Sequence, residues 1–144
     1  MLYTSMIKVA MRIAFDAHKE QVDKTGMPYI FHPFHLAEQM DNEIAICAAL
    51  LHDVVEDTPI SFEDLRQTSI ADEVLIVLKL LTHADNMAYI DYVKCIKDSG
   101  NQNAIAIKLA DLRHNSDPAR LDSMDDRMLA RFEKYKMASD LLER

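Results

Sequence analysis

Apolar residues recur along most of the chain at the three- and four-residue spacing of an α-helix with one buried face. In the first such segment, Met6, Val9, Ala10, Ile13, Ala14 and Ala17 form one stripe. The pattern predicts helices at about 5–22, 32–40, 43–55, 61–67, 71–81, 86–97, 101–115 and 123–142. It therefore indicates an all-α fold of about eight helices.

Local signals mark several ends of these helices. Pro33 suits a helix start, where a missing N–H would be unpaired in any case. Pro59 ends the helix at 43–55, because the residue before a proline avoids helical angles. Ser61 and Asp64 form the pattern of a capping box in its acidic form. Since no repeat or linker interrupts the pattern, we expect one domain over residues 1–144.

Composition agrees with a helical protein. The chain has only 2 glycines and 4 prolines, so it contains few of the residues that typically form turns. No apolar run approaches the roughly 20 residues that span a bilayer, and the N-terminus does not resemble a signal peptide. We expect a cytoplasmic protein without a membrane partner. Cys47 and Cys95 lie in apolar helical patterns and are predicted to be reduced core thiols.

The net charge excludes one class of partner. At a formal charge of -8, the chain lacks the basic face that general nucleic-acid binding requires. An anionic ligand would have to be bound by local cations and a metal ion, because the net negative charge of the protein repels it.

Polar residues interrupt two of the apolar segments, and their chemistry predicts a metal site. His52 and Asp53 interrupt the apolar run 45–55, and Asp111 interrupts the apolar run 104–112. Burying such groups without a partner costs several kcal/mol, and a divalent cation is a suitable partner. With His32, they give two imidazoles and two carboxylates, a mixed set that suits Mn²⁺, with Fe²⁺ also possible. Such a set leaves about two open positions in an octahedral shell.

Two further carboxylates follow the His52–Asp53 pair. Glu56 lies three residues from Asp53 and four from His52, and Asp57 lies four from Asp53, so both return toward the metal-facing side. They are candidates to orient or deprotonate a water molecule. The alternative is that both acids cap the helix end and face solvent.

Three segments resemble a known family. They are TGMPYIFHP at 25–33, LLHDVVEDT at 50–58 and KLADLRHN at 108–115. In this order they resemble the HD superfamily of metal-dependent phosphohydrolases. They are most similar to the hydrolase domain of RelA/SpoT proteins, which removes the 3′-pyrophosphate of the alarmone (p)ppGpp. The resemblance implies an HD-domain helical fold, metal ligation by His32, His52, Asp53 and Asp111, and catalytic roles for Glu56 and Asp57.

The resemblance also implies contacts with a nucleotide substrate. Lys24 is similar to a loop lysine of the family that contacts phosphate, although a solvated loop lysine is an alternative. Asn115 matches an asparagine of the nucleotide pocket. Lys108 shares a helix face with Asp111 and Asn115, and is either a substrate contact or an ordinary supporting cation.

The remaining histidines receive no metal role. His18 is expected to pack near the site without ligating, and His35 is expected to be exposed on its helix. His83 and His114 carry no functional expectation.

One loop residue departs from the family pattern. Asp23 stands where the family has an arginine that packs on the guanine base, and a carboxylate offers no cation–π contact. Guanine specificity is therefore open, and Asp23→Arg is expected to lower the KM for ppGpp.

The sequence thus predicts a Mn²⁺-dependent phosphohydrolase that releases pyrophosphate from the 3′ position of a guanosine tetra- or pentaphosphate. One alternative is hydrolysis of another nucleotide phosphoester on the same metal site. A second is a non-catalytic nucleotide-binding module, which would not need all six metal-site and acidic residues. HD-fold oxygenases require further histidine ligands that the spacing does not supply. The sequence leaves the substrate, the resident metal and the oligomeric state open.

Overall fold

The computed structural model describes residues 1–144 and is built from α-helices, as predicted. The helices are α1 Ser5–His18, α2 Phe31–Glu38, α3 Glu43–Leu51, α4 Val54–Asp57, α5 Phe62–Arg66, α6 Asp72–Leu81, α7 Tyr89–Ser99, α8 Gln102–Asn115 and α9 Asp126–Glu143, with a 3₁₀ turn at Pro118–Arg120. The only β pairing is an isolated antiparallel bridge between Val22 and Pro28.

Helix α3 forms the centre of the core. All seven residues from Ala45 to Leu51 are buried, so this helix has no solvent-facing side. It packs against α1, α2, α6 and α8. A helix that is apolar on all sides must be surrounded by other elements, which is why α3 takes the central position.

The predicted helix at 43–55 is wrong at one point, because it is divided at His52 and Asp53. Helix α3 ends at Leu51 and α4 begins at Val54. Asp53 has φ −103° and ψ 0°, outside the helical range, while the N–H of Asp57 still bonds the carbonyl of Asp53. The apolar pattern continues across the break, so the sequence spacing alone does not reveal it.

Side-chain caps define the starts of several helices. The side chains of Thr4, Asn42, Asn101 and Asp125 each accept a hydrogen bond from a backbone N–H in the first turn. The predicted capping box is confirmed, with the Ser61 and Asp64 side chains each accepting from the other residue's N–H. Such caps satisfy N–H groups that have no partner within the helix.

The two cysteines differ in their surroundings. Cys47 is buried in α3, and burial raises the pKa of its thiol to about 12. Cys95 is exposed on α7, so the prediction of a core thiol is wrong there. The helical period of α7 places Tyr92, Val93 and Ile96 on the buried face and leaves Cys95 outside it. No helix of the chain combines the length and the apolar character that a membrane span requires.

The central position of α3 predicts how substitutions in it change the stability of the protein. Ile46 is fully buried in α3, so Ile46→Ala should lower the free energy of unfolding by about 2–5 kcal/mol, measured by urea denaturation. The matched control is Ile76→Ala on α6, whose side chain is 55% exposed and should cost no more than about 0.5 kcal/mol. Equal losses in the two variants would contradict this account of the core.

Candidate metal centre

Three parts of the fold bring the predicted metal ligands together. His32 comes from the first turn of α2, His52 and Asp53 from the break between α3 and α4, and Asp111 from α8. Helix α3 contacts both α2 and α8. This packing brings His32 close to Asp111, although the two residues are 79 positions apart in the sequence. All four side chains are buried or nearly so.

The four side chains converge on one point. His32 Nε2 lies 3.0 Å from Asp111 Oδ1 and 3.9 Å from Asp53 Oδ2. His52 Nε2 lies 2.9 Å from Asp53 Oδ2 and 3.7 Å from Asp111 Oδ1. The ligand atoms of His32, His52 and Asp53 all lie within 4.8 Å of one another, a spacing that could hold a metal ion.

The hydrogen bonding of His52 fits a cation at this point. Its Nδ1 lies 2.7 Å from the carbonyl oxygen of Ala49 and must donate a proton there, so the neutral ring has a lone pair on Nε2. That Nε2 is buried without a hydrogen-bond partner, although Asp53 Oδ2 is close. A lone pair facing a carboxylate is repulsive unless a proton or a metal ion lies between the two atoms. Burial would lower the pKa of His52, but Asp53 and Asp111 raise it, so this nitrogen faces negative charge that attracts a cation. The donor set therefore fits a divalent cation.

A second histidine orients His32. The Nδ1 atoms of His32 and His114 lie 2.7 Å apart, and the two rings are nearly parallel. Burial and the nearby Arg120 lower the pKa of His114 to about 4, so its neutral ring can accept the Nδ1–H of His32. This leaves His32 Nε2 directed at the carboxylates. Sequence reasoning gave His114 no role, although its position inside the third family segment was a signal.

Asp53 has its own supporting donor. The hydroxyl of Tyr29 donates to Asp53 Oδ2, and burial together with the Asp53 charge raises the pKa of Tyr29. Burial would raise the pKa of Asp53, but His52 and the Tyr29 hydrogen bond lower it. Tyr29 was not selected from the sequence, although it lies within the first family segment.

Asp111 is held by two side chains of its own helix. Lys108 Nζ lies 3.0 Å from Asp111 Oδ2, and Asn115 Nδ2 donates to Asp111 Oδ1 over 2.9 Å. Burial would raise the pKa of Asp111, but Lys108 and the two imidazoles hold it well below its usual value. Lys108 is itself buried, with its ammonium 5.5 Å and 5.2 Å from the ring centroids of Tyr89 and Tyr92. This geometry favours the alternative of a supporting cation for Lys108, and its contact with substrate stays a prediction.

The two additional acids take different positions beside the site. Glu56 lines a small cavity of about 30 Å³ together with His52, Asp53 and Asp111, and its Oε1 accepts the backbone N–H of His83. Burial and the neighbouring Asp53 raise the pKa of Glu56. The same two effects raise the pKa of Asp57, which does not line this cavity. Of the pair, Glu56 is therefore better placed to reach a bound water.

The other histidines lie around the centre. His18 is buried, with its Nδ1 2.7 Å from Gln21 Oε1 and its ring 4.9 Å from that of Tyr29. His35 is exposed, and its ring lies 4.2 Å from that of His114.

A cleft of about 310 Å³ opens beside His32, a volume typical of small-molecule sites. Lys24 and Asn115 line it, and their contact with a nucleotide stays a prediction. Helix α9 completes the wall with Met128, Arg131, Phe132 and Tyr135. No motif marks these residues in the sequence, because α9 lies beyond the three family segments.

The loop residue Asp23 also lines the cleft but is not a free carboxylate. Its Oδ1 accepts hydrogen bonds from the Thr25 N–H, the Thr25 hydroxyl and the Met27 N–H, over 2.8, 2.7 and 3.0 Å. Its Oδ2 lies 3.5 Å from Arg120 Nη2. Asp23→Arg would remove the acceptor that shapes this loop and place a second cation beside Arg120. The effect of this substitution on the KM for ppGpp stays a prediction.

Known proteins resemble this chain in sequence and in fold. The family model described as "HD domain" matches residues 10–117. The bifunctional (p)ppGpp synthase/hydrolase SpoT of Escherichia coli K12 is 35% identical over 125 residues, covering 76% of this chain and 17% of that protein. The guanosine-3′,5′-bis(diphosphate) 3′-pyrophosphohydrolase of Aquifex aeolicus is 32% identical over 149 residues, covering 95% and 20%. The chain thus spans about a fifth of the length of these curated relatives.

A solved structure shares the fold. It is described as "A metazoan ortholog of SpoT hydrolyzes ppGpp and plays a role in starvation responses". Its TM-score is 0.80 over 99% of this chain and 88% of that chain, with 24% sequence identity.

The ligand geometry predicts a measurable loss of metal. The parent protein should bind one divalent ion, and Asp111→Ala should bind much less, because a ligand and the partner of Lys108 are removed together. Elemental analysis after dialysis measures the metal content. Asp98→Ala, at an exposed position on α7, is the control and should retain the ion. Full occupancy in Asp111→Ala would contradict the assignment of Asp111 as a ligand.

Proposed function

The chain belongs to the HD domain family, and we propose that it is a metal-dependent phosphohydrolase that acts on guanosine-3′,5′-bis(diphosphate). The observation that carries the proposal is the position of the His32, His52, Asp53 and Asp111 cluster beside a cleft lined by three cationic side chains. Similarity to 3′-pyrophosphohydrolases supports the choice of substrate.

We propose His32, His52, Asp53 and Asp111 as the ligands of one divalent ion. Two nitrogens and two carboxylates suit Mn²⁺ better than Mg²⁺, which prefers oxygen ligands. Such an ion, when bound, supplies Lewis acidity toward a phosphoryl oxygen and lowers the pKa of a water molecule. Tyr29, His114, Lys108 and Asn115 orient the ligand side chains through the contacts described above.

Glu56 is proposed as the group that accepts the proton of the attacking water. Its Oε1 is held by the His83 N–H, so the carboxylate has a defined orientation in the small cavity beside His52 and Asp53. Its raised pKa makes it a stronger proton acceptor than an ordinary glutamate. Asp57 is proposed to assist in orienting the water.

The cleft residues are proposed to bind the nucleotide. Lys24 and Arg131 bring positive charge to a protein whose net charge is -8, and this local charge is required to attract a polyanion. Asn115 lines the same cleft and also donates a hydrogen bond to Asp111. We therefore expect it to lie between the bound nucleotide and the proposed metal ligands. Phe132 and Tyr135 provide aromatic surface for the base or ribose.

The proposed reaction balances as a hydrolysis. The water oxygen forms a bond to the phosphorus next to the 3′ oxygen, and the ester bond from that phosphorus to the 3′ oxygen breaks. Glu56 accepts one proton from the water, and the 3′ oxygen takes up one proton from solvent. The products are GDP and pyrophosphate.

A second candidate is hydrolysis of another nucleotide phosphoester on the same centre. The observation that favours it is Asp23, which gives this cleft an acidic loop residue where the resemblance called for an arginine. A non-catalytic binding module remains the alternative from a different class, and the position of Glu56 beside the ligand cluster favours catalysis over it.

A substrate panel tests the proposed function. Metal-loaded protein is incubated with ppGpp, pppGpp and common mononucleotides, and the products are separated by anion-exchange chromatography. Release of pyrophosphate from ppGpp with formation of GDP is expected. Turnover of a different nucleotide alone would favour the second candidate, and binding without turnover of any nucleotide would favour a binding module.

The proposed role of Glu56 predicts a separation of binding from chemistry. Glu56→Gln keeps an oxygen for the His83 N–H but loses the proton-accepting charge, so turnover should fall by about 10²-fold or more with metal content retained. Steady-state kinetics and elemental analysis measure the two properties. Glu73→Gln, at an exposed position on α6, is the control. Loss of metal in Glu56→Gln, or unchanged turnover, would show that its role is different.

A further inference from the structure

Arg120 occupies a constrained position at the mouth of the cleft. It ends the 3₁₀ turn that follows α8, and its side chain is 27% exposed. Its Nη1 donates to the carbonyl oxygen of His114 over 2.7 Å, and its Nη2 lies 3.5 Å from Asp23 Oδ2. The guanidinium lines the 310 Å³ cleft and also a neighbouring depression bounded by Thr25, His32 and His35. Arg120 therefore lies between two openings that both reach His32.

Arg120 is better ordered for binding than the other cations of the cleft. Lys24 and Arg131 make no side-chain hydrogen bond or ion pair, whereas Arg120 Nη1 is anchored by a hydrogen bond to the His114 carbonyl oxygen and Nη2 faces Asp23 at 3.5 Å. A guanidinium has five N–H donors in a planar fork, so these two contacts leave donors for a ligand. Since its orientation is already set, binding costs less conformational entropy than it would for a free side chain.

The contact with Asp23 is weak enough to be exchanged. The separation of 3.5 Å is long for a charge-assisted hydrogen bond, and both side chains are partly exposed, so the pair contributes little to stability. The loop does not depend on this contact, because Thr25 and Met27 bond the other carboxylate oxygen of Asp23. Asp23 can therefore lose Arg120 as a partner without losing the loop conformation.

We propose that Arg120 is a phosphate-binding residue of the cleft and that Asp23 is its internal counter-ion, with which a ligand phosphate competes. The inference rests on the proposed function, because it takes the ligand to be a nucleotide. A phosphate group carries more charge than a carboxylate and accepts two parallel hydrogen bonds from a guanidinium, so it replaces Asp23 as the main partner. The Asp23 carboxylate remains nearby and repels the ligand.

This arrangement gives the two residues opposite effects on affinity. Arg120 attracts the phosphate, so its removal weakens binding. Asp23 opposes the phosphate, so its neutralisation strengthens binding while Arg120 is present. Asp23→Asn suits this purpose, because an asparagine oxygen can still accept the bonds from Thr25 and Met27.

The test measures dissociation constants by calorimetry on the metal-loaded protein. The probe is GDP, which has a diphosphate but no 3′-phosphate and so is not consumed by a 3′-pyrophosphohydrolase. Guanosine, which has no phosphate, is the matched ligand control. Arg113→Gln is the matched protein control, because Arg113 is exposed on α8 and lines neither opening.

Arg120→Gln should weaken GDP binding by about tenfold or more, the loss expected for charge-assisted hydrogen bonds. Asp23→Asn should tighten GDP binding several-fold in the parent and much less in the Arg120→Gln background. This difference isolates the coupling between the two residues. Arg113→Gln should bind GDP as the parent does, and guanosine should be insensitive to all the substitutions.

Other outcomes overturn the proposal. Unchanged GDP affinity in Arg120→Gln shows that Arg120 does not bind phosphate and only donates to the His114 carbonyl. Absence of GDP binding by the parent also overturns the proposal, because the cleft then takes no diphosphate. Weaker GDP binding in Asp23→Asn shows that Asp23 positions Arg120 and does not compete with phosphate. An equal loss for guanosine and GDP in Arg120→Gln assigns Arg120 to the base. Failure of the proposed function is seen separately, as absence of ppGpp turnover in a parent protein that binds GDP.

Discussion

The structure depends on the burial of two carboxylates, Asp53 and Asp111, against the imidazoles of His32 and His52. Removing such groups from water is costly unless every polar atom has a partner. The protein supplies these partners individually, as the Tyr29 hydroxyl, the Ala49 carbonyl, His114, Lys108 and Asn115. The remaining lone pairs point to one place, and a divalent cation there completes the set.

The apolar packing of α3 makes this cluster rigid. Because every residue from Ala45 to Leu51 is buried, the end of this helix cannot shift without disturbing the core on all sides. The break after Leu51 therefore holds His52 and Asp53 at a defined position between α2 and α8. The core and the candidate metal centre are linked in this way, since the same helix carries the core and ends beside His52 and Asp53.

Charge is distributed unequally between the surface and the cleft. The chain carries a formal charge of -8, yet Lys24, Arg120 and Arg131 line the opening beside His32. A polyanionic ligand is thus repelled by most of the surface and attracted at one site, which favours selective capture. Asp23 moderates this attraction, because it lies against Arg120 within the same opening.

The sequence by itself determined the helical class, most helix positions and the four candidate ligands, His32, His52, Asp53 and Asp111, whose side chains the structure brings together. Helical periodicity is a local property, and a buried His-Asp pair or a lone Asp111 in an apolar run is unusual enough to be recognised without coordinates. Tertiary structure alone decided the division of the helix at His52 and Asp53, the pairing of His32 with His114, and the partnership of Asp23 with Arg120. Each of these depends on groups that are distant in sequence or on backbone angles that follow from such contacts, and residue spacing carries no information about either.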